Sequence, residues 1–340
     1  MSWIKNILTI FFSTLIALLF AEVFLRLIDV GYGNAPLERS HTYHHVHPNN
    51  YQFLMHDPNG EYGGFHVYYD NLGFRVADEE SHSNELTDEN KAIIFMGDSF
   101  TEGNQVPYNE TFVSLVSERL GVPTVNFGVS SYSPLIYELQ VKNIVSQFNA
   151  NTVVLQIYSN DFSDDQSYFK DAVLKKNEII GIDGGANNVI VTTVRKSYLA
   201  RLIKKSQLLL QHILTNSNDV VLKTYNAFDY QQGVTDENLL NTVNIIRQID
   251  SFLDEKNKKL YVFLIPSKSL SMAEECCSRD NLYTRFYSAL DEVGVDTIDV
   301  RSYFEQSNDQ NELFFNKDIH LTSRGHMAVA SSIVSYLSSK

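Results

Sequence analysis

A serine, an aspartate and a histidine lie beside apolar segments at two distant points of the chain. Ser99 follows the run AIIFMGD, and Asp318 and His320 lie in the segment NKDIHL. Serine is a weak nucleophile until a base accepts its proton, and a histidine oriented by a carboxylate can act as that base. Asp318 and His320 are two positions apart, so in an extended segment both side chains point to one face. These residues predict a Ser99–His320–Asp318 triad for acyl transfer.

Acyl transfer also needs hydrogen-bond donors for the developing oxyanion. The backbone N–H groups of Ser99 and Gly128 and the side-chain amide of Asn160 are candidates, since each follows or ends an apolar run. One such donor lowers the barrier by about 2.7–4 kcal/mol. Each residue also has a structural interpretation: Ser99 could cap a helix, and Gly128 and Asn160 could form turns. We interpret Asp98 as a structural turn residue, whereas Asp161 fits a turn and the site equally well.

The sequence gives no catalytic or metal-binding role to His326, to the histidines of residues 41–47 or to the two cysteines. His326 is expected inside the last helix, away from the site. The segment HTYHHVH, residues 41–47, is expected to be an exposed stem, because no carboxylate or cysteine completes a metal-ligand set there. Cys276 and Cys277 are adjacent, which fits neither ordinary disulfide geometry nor a CxxC motif. We therefore expect neither a metal nor a cofactor.

Short apolar runs alternate with helical patterns from residue 89 to the C-terminus. This alternation predicts an α/β fold whose parallel sheet is covered on both faces, with ligands at the carboxyl ends of the strands. The predicted strands are KAIIFMG, PTVNFGV, NTVVLQIYS, KLYVFLIPS and VDTIDV. The predicted helices are ETFVSLVSERLG, PLIYELQVKNIVSQFN, ENLLNTVNIIRQIDSFLDEKNKK, NLYTRFYSALDEVG and a last one over about 325–337. At about 164–233 the alternation breaks, which indicates an insertion over the site or beside a membrane, or else an ordinary packing helix.

The N-terminal segment Ile7–Leu27 is apolar and would form a helix of about 31 Å, enough to cross a hydrocarbon core. An uncleaved anchor is favoured over a cleaved signal peptide, because Leu19 and Ala21 fit a cleavage site poorly. A buried soluble helix is the third interpretation. Lys5 and the terminal amine precede the span, and positive charges prefer the cytoplasmic side of a membrane. This places the chain after the span outside the cytoplasm, although Arg26 argues the other way.

The chain is therefore divided into an anchor (1–28), a stem (29–88) and a domain (89–340) that carries the insertion. It has 340 residues and a net charge of −14, without a long basic run. Nucleic acid is excluded as an expected partner, since phosphate neutralisation needs clustered basic charge. A secreted form, after signal cleavage, is the alternative localisation.

Four short blocks resemble the SGNH hydrolase superfamily of GDSL-like esterases and lipases over roughly residues 90–340. They are Ser99 in GDSF, Gly128 in NFG, Asn160 in SND and His320 in DIHL. The resemblance implies a flavodoxin-like three-layer α/β/α fold, Ser–His–Asp catalysis without a metal, and an oxyanion hole of Ser99, Gly128 and Asn160.

The last block departs from the usual pattern, because the position three before the histidine is Lys317 and not aspartate. The D-x-H spacing resembles instead a membrane-anchored bacterial branch, some of whose members act on exopolysaccharide acetyl groups. The expected function is a serine esterase that hydrolyses O-acyl groups, acetyl above all, on a carbohydrate or envelope substrate. An O-acetyltransferase, a lipase or lysophospholipase, and a non-catalytic glycan-binding module remain as alternatives.

Overall fold

The computed structural model describes residues 2–28, 35–57, 60–82, 92–176, 178–186, 190, 194, 196–214, 234–266, 268, 282–305 and 312–340. The helices are α1 (Ser2–Leu27), α2 (Ser99–Glu102), α3 (Phe112–Leu120), α4 (Pro134–Asn143), α5 (Asp161–Phe169), α6 (Tyr198–Leu214), α7 (Asp236–Asp254), α8 (Leu282–Glu292), α9 (Arg301–Glu305) and α10 (Ser323–Ser338). The strands are β1 (Glu38–Arg39), β2 (His45–Val46), β3 (Tyr51–His56), β4 (Gly63–Tyr69), β5 (Arg75–Val76), β6 (Ile93–Gly97), β7 (Thr124–Gly128), β8 (Thr152–Ile157), β9 (Ala172–Lys175), β10 (Glu178–Ile182) and β11 (Lys259–Leu264).

The centre of the molecule is a parallel sheet with the strand order β11-β8-β6-β7. Successive side chains of a strand point to opposite faces, so Ile94 packs in one apolar cluster and Phe95 in another. The first cluster also contains apolar residues of α4, α7 and α8, and the second contains those of α3 and α10. Helices thus cover both faces, and the predicted three-layer α/β/α fold with a parallel sheet is confirmed.

The predicted fifth strand, VDTIDV, is reduced to a single parallel bridge between Thr297 and Val262. The next residues cannot extend the ladder, because the Tyr287 hydroxyl donates to the carbonyl of Ile298. The Asp299 carboxylate then accepts the N–H of Arg301, where α9 begins. The prediction of a full strand at this place is therefore wrong.

The segment 35–82 folds back on the carboxyl edge of the sheet as a β1–β2 hairpin and a β3-β4-β5 sheet. Arg75 is buried and donates to the carbonyls of Glu102, Gly103 and Val106. His45 and His47 are only 6% and 1% exposed. The expectation of an exposed stem is therefore wrong for these two rings, which fill the interface between the segment and the sheet, whereas His41 is exposed.

The segment at 164–233 does not begin as a separate unit, because residue 164 lies within α5. After α5 the chain forms an antiparallel hairpin of β9 and β10. Tyr43 forms a parallel bridge with Ile182, which joins this hairpin to the N-terminal segment. Helix α6 follows, and residues 215–233, like Cys276 and Cys277, lie outside the described residues.

Helix α1 is exposed along most of its length. Among the described helices, the stretch Trp3–Leu27 alone is long and apolar enough to cross a membrane, with a mean hydropathy of 2.3. Glu22 and Arg26 form an ion pair of 2.8 Å near its C-terminal end. These properties fit a membrane anchor or a signal sequence.

Candidate active site

The turn after β6 places Ser99 at the first position of α2. A Cβ atom at Gly97 would lie 2.2 Å from Thr101 Oγ1 and 2.4 Å from Gln156 Oε1, so only glycine fits there. The Asp98 carboxylate caps the helix by accepting the N–H of Phe100 at 2.9 Å. Asp98 is thus a structural turn residue, as predicted, and the sequence MGDSFTEG builds a short helix that starts at the serine.

The structure brings Ser99, His320 and Asp318 together. His320 Nε2 lies 2.7 Å from Ser99 Oγ, and His320 Nδ1 lies 2.5 Å from Asp318 Oδ1. The same Asp318 oxygen accepts the backbone N–H of His320 at 2.9 Å. The carboxylate therefore binds one ring nitrogen and leaves the other for the serine hydroxyl, which is the arrangement that a hydroxyl nucleophile needs.

The charges in this group favour an ionised Asp318. Burial disfavours the charged form of Asp318. The imidazole of His320 and the hydrogen bonds to the carboxylate outweigh this effect and hold the pKa of Asp318 well below its usual range. Burial likewise opposes the charged imidazole, yet the Asp318 carboxylate outweighs it and raises the pKa of His320. The carboxylate thus makes His320 a stronger base and would stabilise the imidazolium formed when Ser99 loses its proton.

The N-terminal segment holds the loop that carries Asp318 and His320. The Tyr62 hydroxyl donates to Asp318 Oδ2 at 2.7 Å, and the Tyr62 ring packs on Phe315 with centroids 4.8 Å apart. Glu61 accepts the backbone N–H groups that immediately precede Asp318, those of Asn316 (2.9 Å) and Lys317 (2.6 Å). Sequence reasoning missed this role, because Tyr62 and Asp318 are 256 positions apart and no motif joins them.

A cavity of about 410 Å³ opens beside Ser99 and His320. Its size is that of a small-ligand site, for which roughly 300–1,000 Å³ is usual. One wall comes from the N-terminal segment, with Ala35, Leu37, His47, Met55, His56, Asp57 and Tyr62. The other wall comes from the carboxyl edge of the sheet and the following loops, with Ser99, Asn104, Gln105, Ser130, Ser131, Asp318 and His320.

Gly128 is at the predicted strand end but does not line this cavity. Its N–H donates to the side chain of Asn126 at 2.9 Å, and the Asn126 amide donates in turn to the carbonyl of Thr101 at 2.8 Å. A Cβ atom at Gly128 would lie 2.3 Å from the backbone nitrogen of Glu102. Glycine is required here for close packing of β7 on α2, and the predicted use of its N–H in the oxyanion hole does not hold.

Asn160 follows β8 as expected and precedes α5. Its side-chain amide donates to the Asp164 carboxylate at 2.7 Å, which leaves its second amide hydrogen for another acceptor. Asp161 is fully buried and accepts the N–H of Tyr158 at 3.0 Å, so it stabilises the turn outside the cavity. Asn160 does not line the cavity either.

Ser131, which sequence reasoning did not select, has the left-handed backbone conformation, with φ of 64°. This conformation costs roughly 1–2 kcal/mol for a residue other than glycine. Ser131 lines the cavity, and within the described residues its N–H has no hydrogen-bond acceptor. Strained backbone often marks a functional position, and the signal in the sequence was only the run SSYS after β7.

A buried carboxylate ties α2 to the N-terminal segment. Glu102 is fully buried, and its side chain accepts the Tyr69 hydroxyl (2.5 Å) and the N–H of Ser130 (2.8 Å). His47 Nε2 lies 2.9 Å from Glu102 Oε1, and Asn104 also donates to this carboxylate. Burial opposes the charge, but the His47 imidazole and these donors lower the pKa of Glu102 to about 2.

His326 lies in α10, as predicted, and is buried away from Ser99. Its Nδ1 accepts the N–H of Phe112 at 3.2 Å, and its ring stacks on the Phe112 ring. Burial lowers the pKa of His326 to about 3, so the ring stays neutral. Among the described residues, no group of three or more His, Cys, Asp or Glu side chains is arranged to hold a metal ion.

A protein-family model matches the C-terminal third of the chain. Residues 224–340 match the family model "SGNH hydrolase-like domain, acetyltransferase AlgX", which confirms the resemblance for this part of the chain. No match is found among the curated proteins.

Similar solved structures include a lipolytic G-D-S-L protein from Veillonella parvula, with 13% identity, a TM-score of 0.41 and coverage of 73% of this chain and 98% of that chain. A lipase/acylhydrolase from Enterococcus faecalis has 13% identity and a TM-score of 0.40, and the match covers 73% of this chain and 95% of that chain. A catalytic mutant of an acetylxylan esterase from Geobacillus stearothermophilus has 11% identity and a TM-score of 0.42, and the match covers 72% of this chain and 93% of that chain.

Proposed function

We propose that this chain, whose residues 224–340 match an SGNH hydrolase-like family model, cleaves O-acyl esters, acetyl esters first, through an acyl group on Ser99. The observation that carries this proposal is the contact series from Asp318 to His320 to Ser99, with distances of 2.5 and 2.7 Å. His320 accepts the proton of the Ser99 hydroxyl as its Oγ attacks the ester carbonyl. The protonated ring then gives that proton to the departing alcohol, and the acyl group stays on Ser99.

In the second step an acceptor attacks the acyl group. With water as the acceptor, His320 takes a proton from the water and returns it to Ser99 Oγ as the bond between Oγ and the acyl carbon breaks, which releases the acid and regenerates Ser99. The oxyanion of both steps is stabilised by the N–H groups of Ser99 and Ser131, which both line the cavity. Asn160 is not assigned this role, because it does not line the cavity. Ser131 replaces Gly128 in this role because the Gly128 N–H already donates to Asn126.

The substrate that we propose is an O-acetylated carbohydrate or envelope polymer on the outer side of the membrane in which α1 anchors the protein. The cavity of about 410 Å³ accommodates an acetyl group with one sugar unit. Its walls carry many hydroxyl, amide and imidazole groups, which suit a polyhydroxylated substrate better than an acyl chain.

A second candidate is transfer of the acetyl group to a sugar hydroxyl, which the description of the matched family model as an acetyltransferase favours. Hydrolysis and transfer share the acyl-Ser99 intermediate and differ only in the second acceptor.

The experiment is to acetylate the full-length protein with a chromogenic acetyl ester and then follow acetate release with and without candidate oligosaccharides. Acetate release that saccharides leave unchanged supports the hydrolase. Acetylated sugar formed at the expense of acetate makes the protein a transferase. Absence of ester turnover in the wild-type protein, or unchanged turnover in Ser99→Ala, refutes serine-dependent acyl chemistry.

A further inference from the structure

Helix α1 caps the N-terminus of helix α6. The Glu22 carboxylate accepts the backbone N–H groups of Tyr198 (3.0 Å) and Leu199 (2.9 Å) and the hydroxyl of Ser197 (2.7 Å). The first N–H groups of a helix have no partner inside the helix, so a side chain of α1 supplies what α6 lacks. Such contacts are those of a helix that stays with the folded chain, because cleavage after Ala21 would leave Glu22 at a free N-terminus, without the preceding turns of α1 that hold it in place.

The position of this contact along α1 matches the edge of a bilayer. The stretch from Trp3 to Ala21, whose one charged residue is Lys5 near its N-terminal end, is about 28 Å long as a helix, close to the thickness of a hydrocarbon core of about 30 Å. Trp3 then lies at one boundary, and Glu22 lies at the other together with Tyr198, whose ring is 5.3 Å from the Arg26 guanidinium. Tryptophan and tyrosine are enriched at these boundaries. The first turn of α6 is therefore at the level of the lipid headgroups.

The sequence around α6 has the charge of a segment that binds anionic lipid. Residues 184–218 contain no aspartate or glutamate, although the chain as a whole has a net charge of −14. The basic residues of this stretch are Arg195, Lys196, Arg201, Lys204 and Lys205. Basic residues next to a membrane span are attracted to an anionic leaflet.

Helix α6 also exposes apolar side chains. Ile203 and Leu210 are 61% and 56% exposed, and they lie seven positions apart, on one face of the helix. Lys204 next to Ile203 is exposed as well. A basic helix with an exposed apolar face fits the boundary between headgroups and acyl chains.

We propose that α6 lies on the surface of the bilayer that α1 crosses, with Ile203 and Leu210 among the lipids and Lys204 and Lys205 on the phosphates of anionic phospholipid. Because Arg201 donates to the Tyr51 hydroxyl, this helix also connects the lipid surface to the segment that forms one wall of the cavity. The proposal is independent of the chemistry at Ser99.

The test uses the full-length protein in nanodiscs of phosphatidylcholine with and without phosphatidylglycerol. In a Cys276→Ser/Cys277→Ser background, Ile203→Cys is labelled with a fluorophore, and the acyl chains of the lipid carry a quencher. The matched control is Leu240→Cys in α7, a site that is 54% exposed and lies near Asp236 and Glu237. We expect the label at 203 to lose most of its fluorescence and the label at 240 to keep it.

Charge reversal gives the second arm. Lys204→Glu together with Lys205→Glu should weaken the quenching at 203, and more so in the anionic nanodiscs. Equal fluorescence at both sites overturns the proposal. A label at 203 that neither a water-soluble quencher nor the lipid quencher reaches also overturns the proposal, since protein then covers the face of α6 that carries Ile203 and Leu210. A mature protein whose mass lacks residues 1–21 overturns it as well.

Discussion

The hydrogen bond from Tyr62 to Asp318 is expected to support catalysis from a distance. Tyr62→Phe removes the hydroxyl that lies 2.7 Å from Asp318 Oδ2 and keeps the ring that packs on Phe315. A hydrogen bond to a charged group contributes about 1.5–3 kcal/mol. At about 1.36 kcal/mol per tenfold change in rate, its full expression in the transition state would lower kcat by roughly 10- to 160-fold. We expect a loss toward the lower end of that range, because the backbone N–H of His320 still orients the carboxylate.

The assay is steady-state hydrolysis of a small chromogenic acetyl ester. Tyr62→Phe should lower kcat and leave KM nearly unchanged, because the bond acts through Asp318 and not on the ester. Tyr68→Phe, on the neighbouring strand β4, is the matched control and should behave like the wild type. In an Asp318→Asn background, Tyr62→Phe should have little further effect, since the two groups act as one unit. Equal factors in both backgrounds, or no change in either, would refute the reasoning.

Four further outcomes are expected from the same structure. Asp318→Asn should lower kcat by about 10⁴ and should move the acid limb of the pH profile to lower pH, because the carboxylate raises the pKa of His320. His326→Ala should lower Tm in a thermal melt but leave kcat of the folded enzyme near normal. Glu102→Gln should reduce the free energy of unfolding by about 3–5 kcal/mol at neutral pH in denaturant titrations. The difference in unfolding free energy between wild type and variant should shrink as the pH falls from about 4 toward 2, since protonation of Glu102 removes the stabilisation in the wild type. Ser131→Gly should keep kcat and Tm, because glycine supplies the same N–H in a conformation that it adopts without strain, whereas a large loss of kcat would assign the function to the hydroxyl.

The parts of the fold and site that were predictable are those encoded locally. The runs that became β6, β7, β8 and β11 are short, apolar and β-branched, and each is followed by a helical pattern. Ser99 could be recognised because Gly97 and Asp98 shape its turn within a few residues. Asp318 and His320 could be paired because they are two positions apart.

The parts that were missed depend on contacts between distant segments. His47 and Tyr69 looked like residues of an exposed stem, because polar residues are mostly exposed unless they are paired. Their partner Glu102 lies in another part of the chain. Gly128 was misassigned because only the structure shows that the Asn126 side chain accepts its N–H.

The most direct test of the central claim is the intact mass of the full-length protein after mixing with an activated acetyl ester and rapid acid quenching. The account predicts that one acetyl group is added and that peptide mapping places it on Ser99. It also predicts that Ser99→Ala stays unmodified and that His320→Ala accumulates almost no acetyl enzyme. Acetylation of Ser99→Ala at the same rate as the wild type, or ester turnover without any acetyl group on Ser99, would contradict it.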